Sequence, residues 1–168
     1  MRVYLASTLP GLADLLAQGQ AGPAPLRAFA VTPALREAYA SGDDEELEYV
    51  AMLAAARQSL RLLDADPDAP RRRVVLAADV PDADVSWQPN QPPANDDGSA
   101  AVVVGAVIPV TALAAGHVDD PGSAAEVAAA ADAIAAADAG DDDASFTVDS
   151  AEAHELAWYA TQELQYLY

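Results

Sequence analysis

Two histidines, each beside carboxylates, are the residues best suited to chemistry. His117 stands in His-Val-Asp-Asp and His154 in Ala-Glu-Ala-His-Glu. On a strand His117 and Asp119 share a face, and two imidazoles with Asp119 and Glu155 form a plausible ligand set for a divalent metal. Such a centre would serve a metal-dependent, hydrolase-like enzyme. The spacing is not diagnostic. His154-Glu155 opens like the zinc-protease helix motif, but Trp158 stands where the second His belongs. In the plain alternative, His117 ends a strand at the surface and His154 stacks on Trp158 one helical turn later.

A second cluster runs from Asp141 to Glu152. Counted from Asp141, oxygen-bearing side chains fall where a helix-loop-helix calcium loop needs them, but its turn-forming Gly position holds Phe146. A bulky residue resists the positive φ that this turn requires. The same residues also fit a solvated acidic loop, an edge strand at Phe146–Val148 and a helix cap at Asp149. Arg71-Arg72-Arg73 could bind an anion or take part in partner binding, or could balance the acidic second half of the chain. Trp158 and Tyr159 are candidates for a partner-binding surface.

Other chemistry is excluded by composition. The chain has no Cys and no Lys, so it offers no disulfide, thiolate ligand, Cys nucleophile or Schiff-base lysine. It contains neither a phosphate-binding Gly-rich loop nor a Ser nucleophile elbow. Its formal net charge is −19, distributed unevenly. All 8 arginines lie in residues 1–80 with 11 carboxylates, whereas residues 81–168 carry 16 carboxylates and neither Arg nor Lys. Nucleic acid is therefore not expected as a ligand, because its phosphates would meet like charge. A basic protein partner, a divalent cation or plain solvation would each suit this field. No stretch has the apolar length of a membrane span and the first residues do not resemble a signal peptide, so a cytoplasmic location is expected.

The elements that must hold these residues follow from local signals. Residues 2–6 alternate as a strand. Ser7 or Thr8 caps a helix that stops at Gly19, Leu26–Val31 reads as a strand, and Thr32-Pro33 opens a short helix. Asp43 with Glu46 is a capping box for the longest helix, to about Leu63. Val74–Val80 and Ala100–Ile108 have the apolar continuity of central strands. Residues 81–99, rich in Pro, Asp, Asn and Gln, are expected to be a mobile loop. After a turn at Pro109–Ala115, a strand at Gly116–Asp119 precedes an Ala-rich helix from Ser123 to Gly140. Leu156, Tyr159, Ala160, Leu164 and Leu167 are spaced as one stripe of a final helix. At 168 residues, this order implies one domain of the α/β class, with α+β as the variant. Its sheet should be mixed, with five or six short strands covered by helices.

The stretches VTPALREAY, EELEYVAMLAAARQSLRLL, RRVVLAADVPD, HVDD and HELAWYATQEL resemble an uncharacterised family of small proteins from high-GC Gram-positive bacteria, a domain of unknown function. The resemblance implies a single domain and transfers no functional residue. Beside it, the residues favour a non-catalytic interaction or accessory protein that needs no cofactor. The alternative is the metal-dependent enzyme built on His117, Asp119, His154 and Glu155.

Overall fold

A computed structural model describes residues 1–87 and 96–168. In chain order its elements are β1 (Arg2–Ser7), α1 (Leu9–Gln18), β2 (Gln20–Ala21), β3 (Leu26–Phe29), α2 (Pro33–Ala38), α3 (Asp44–Ala65), β4 (Val74–Asp79), β5 (Val85–Ser86), β6 (Ala101–Val104), β7 (Ile108–Pro109), β8 (Leu113–Val118), α4 (Ala124–Asp138), α5 (Asp142–Glu152) and β9 (Ala157–Tyr159). A 3-10 turn at Thr161–Tyr166 follows.

Seven strands form one sheet in the order β5-β6-β3-β1-β4-β8-β9, and β2 pairs β7 separately. The ladders of the main sheet are antiparallel, so the domain is of the α+β class rather than built on a mixed sheet. Period-two alternation along β1 sends Val3 and Leu5 to one face and Tyr4 to the other. The first face packs on Leu9, Leu12 and Leu15 of α1 and on Leu164 of the last turn. The second face, with Phe29, Val75 and Ala77, packs on Leu47, Ala51 and Ala55 of α3. Leu60 and Leu63, nearer the end of α3, instead meet a hairpin of α4 and α5 through Val127, Ile134 and Val148.

Local chemistry explains the well-anticipated elements. The Thr8 hydroxyl accepts from the Gly11 N–H at the start of α1, and Gly19 ends that helix at φ 75°. The Asp43 and Glu46 capping box is complete on α3. On α3 the fully buried Ser59 clips two strands: its hydroxyl donates to the Ser7 carbonyl at 2.7 Å and accepts from the Val74 N–H at 3.1 Å.

Four expectations are corrected. Phe146–Val148 is not an edge strand but part of α5, which Asp141 caps through the Ala144 N–H. Asp142 and Asp143 occupy its first turn, where carboxylates favour the helix dipole. The Asp141–Glu152 segment is thus capped helix and not a calcium-binding loop. Residues expected to form a final helix instead pair as β9 with β8, in the register Gly116↔Tyr159, His117↔Trp158 and Val118↔Ala157. Finally, the loop expected at 81–99 contains β5, which pairs Val85 with Val104. Its residues 88–95 lie outside the described residues.

Leu164 closes the α1-side core from the C-terminal turn, and Gly116 makes room for it, since a Cβ at 116 would collide with the Leu164 side chain. Leu164→Ala should cost about 2–5 kcal/mol through cavity formation. Gly116→Ala should also destabilise, while the double variant loses less than the sum of the two because the collision has gone. Urea unfolding of all three variants checks this; additive losses would contradict the packing described.

Candidate functional site

Arg73 sits where β4 begins and Asp119 where β8 has just ended. Antiparallel pairing of Val74 with Val118 brings these strand ends together. Both side chains are buried, at 1% and 0% exposure. The Arg73 guanidinium donates from Nε to Oδ2 and from Nη2 to Oδ1 of Asp119, each at 2.8 Å, and the Arg73 backbone N–H also reaches Oδ2 at 2.8 Å. Nη2 further donates to the carbonyls of Ala151 and His154, both at 3.0 Å. Those carbonyls lie at and just beyond the C-terminal end of α5, where the helix dipole attracts a cation. A buried charge is tolerable only when paired and hydrogen-bonded on this scale.

This anchorage fixes the chain that follows α5. From His154 it turns into β9, the edge strand, and places Trp158 opposite His117. Tyr49, Met52 and Leu53, spaced i, i+3 and i+4 on α3, present one helical face to the same region. Between them lies a cavity of about 310 Å³ whose wall includes His117, His154, Glu155 and Trp158. His117 is half-buried, whereas His154, Glu155 and Trp158 are exposed. Burial, with a smaller contribution from the charge of Arg2, lowers the His117 pKa below its ordinary 6.5.

The two histidines and Glu155 therefore share one cavity, but Asp119 does not join them: its oxygens are held by Arg73. Among the described residues, no group of three His, Asp or Glu side chains is placed to hold a metal ion. The three consecutive arginines act within the molecule. Arg71 donates to the Leu63 and Ala69 carbonyls at 2.9 Å and to that of Asp66, closing the end of α3. Arg72 donates to the Asp119 carbonyl at 2.8 Å. Tyr159 is half-buried against the α1-side core, whereas Trp158 is 62% exposed. Sequence reasoning missed Tyr49, Met52, Leu53 and Leu156 as cavity residues. It also missed the Arg73–Asp119 pairing, for which the available signal was Arg before one central strand and Asp just after another.

A second cavity of similar volume, about 310 Å³, opens between α1 and β3, with Asp14 and Arg27 in its lining. Among the described residues no helix is long and apolar enough to cross a membrane.

Residues 1–168 match a family described as of unknown function, DUF6912. No curated protein and no solved structure matches the chain.

Removing one partner of the buried pair should be far more damaging than replacing both. Arg73→Met or Asp119→Leu alone should cost about 3–5 kcal/mol, and the double variant should recover a substantial part of the loss. Denaturant unfolding measures it; single losses below about 1 kcal/mol would mean that the pair is hydrated.

A pH effect follows from His117. As pH falls below 6.5 the unfolded chain takes up a proton that the folded protein resists, so stability contributed above 6.5 is lost through the lowered folded pKa. His117→Gln should therefore show a smaller fall in melting temperature between about pH 7.5 and 5.5 than the parent protein. Equal falls in the two proteins would remove His117 as the cause.

Proposed function

We propose, for a chain that belongs along its whole length to a family of unknown function, that it is a non-catalytic interaction module receiving a basic, extended segment of a partner protein against β9. Trp158 carries this reading: a large aromatic, 62% exposed, on the strand that ends the sheet. A strand paired on one side presents backbone donors and acceptors to another chain, and a partner can add there as a further strand. Because β9 has only three residues, backbone pairing alone would bind weakly, and a side-chain anchor must supply much of the affinity. Indole rings are frequent anchors of this kind.

The sign of the partner follows from charge. The eight arginines all have partners inside the molecule: Asp79 for Arg2, the Phe29 ring for Arg27, Asp44 for Arg36, Glu152 for Arg57 and Asp138 for Arg61 account for five, and the group at 71–73 for the rest. With a net charge of −19, the surface left over is acidic and favours a basic partner in both encounter and register. Nucleic acid, whose backbone is anionic, does not suit it.

Selection of displayed random peptides on the purified protein tests this reading. Enriched sequences should carry Arg or Lys at alternate positions of an extended motif, and binding should weaken with added NaCl. Trp158→Ala should reduce affinity by at least about tenfold while changing folding stability by less than about 1 kcal/mol. Enrichment of acidic or uncharged sequences, or binding indifferent to Trp158, would overturn it.

A further inference from the structure

The cavity beside Trp158 has walls that select a guest. We infer that it receives the side chain of an arginine carried by the partner segment, which rests on the reading of β9 given above. Met52, Leu53 and Leu156 supply aliphatic wall for a hydrocarbon stem. Tyr49 and Trp158, 49% and 62% exposed, add aromatic rings to the same wall.

Charge decides what the tip must be. Arg73 borders the cavity but adds no net charge, because Asp119 neutralises it through paired hydrogen bonds. Burial disfavours the cationic form of His117. Glu155 is exposed on the cavity wall and has no ion-pair partner among the described residues. With His154, also in the wall, counted neutral as in the formal charge at pH 7, the surplus is one carboxylate beside two aromatic rings. A guanidinium fits this better than an ammonium, since it is planar, weakly hydrated and stacks on ring faces while pairing with a carboxylate. At about 310 Å³ the cavity lies at the small end of ligand pockets, the scale of a side chain rather than a cofactor.

The indole N–H resonance of Trp158, told apart from that of Trp87 by Trp158→Phe, reports on occupancy. The probes are Nα-acetylarginine N-methylamide and its lysine and citrulline counterparts. The arginine compound should give a saturable shift, the lysine compound should bind about fivefold more weakly, and the uncharged citrulline compound should give none. Glu155→Gln should weaken the arginine compound by about fivefold with no change in unfolding midpoint, because Glu155 is exposed. An equal response to citrulline would show that the cavity reads shape, and tighter lysine binding would assign the guest as an ammonium; either overturns the inference. If no compound binds while selected basic peptides still do, the arginine pocket fails and the β9 reading stands. If neither peptides nor arginine binds, both fail.

Discussion

Three parts of the fold meet at the guanidinium of Arg73. The start of β4, the end of β8 and the C-terminal carbonyls of α5 all converge on it, in a place almost closed to solvent. Its enclosure requires Asp119, since an isolated cation there would be prohibitively costly to dehydrate. Its contact with α5 determines where that helix stops and where the chain re-enters the sheet as β9. The cavity, its histidines and Trp158 owe their position to this contact: Arg73 borders the cavity and donates to the His154 carbonyl.

The uneven charge along the sequence has an explanation in the same terms. Arginines of the first half hold carboxylates of the second: Arg73 binds Asp119, Arg61 binds Asp138 and Arg57 binds Glu152. Two of these clamps join α3 to the α4–α5 hairpin. That hairpin has a core rich in alanine, so its apolar contact area is small and its attachment gains from charged hydrogen bonds. The chain thus uses its few cations internally, and the acids left over define the outer surface.

Elements governed by neighbours along the chain are legible in the sequence. Thr8 with Gly19, Thr32 with Pro33, and Asp43 with Glu46 mark helix ends by hydrogen bonds a few residues long, and each marks a real one. Where distant pairing competes, the same signals mislead. Leu156, Tyr159 and Leu164 are spaced like a helix, yet cross-strand bonding of Ala157–Tyr159 to β8 prevails. Asp149 and Glu152 imitate a capping box inside α5. Ser123 with Glu126 does mark the start of α4, although the Ser123 hydroxyl donates to the Asp120 carbonyl and makes no cap bond to the helix. Residue type alone marks both histidines as candidates for one site, but the diversion of Asp119 to Arg73 depends on which strands adjoin, and no local pattern encodes that.

The internal cation also bears on how the chain must acquire its shape as it leaves the ribosome. Arg73 emerges 46 residues ahead of Asp119, and 78 and 81 residues ahead of the carbonyls of Ala151 and His154. Until they arrive it has none of its final acceptors and must stay hydrated, so the strand beside it cannot be sealed early. Contacts of such long sequence separation slow folding. Vectorial synthesis therefore delays closure of this junction until α5 has been translated, an interval in which an incompletely packed apolar strand is open to misassembly.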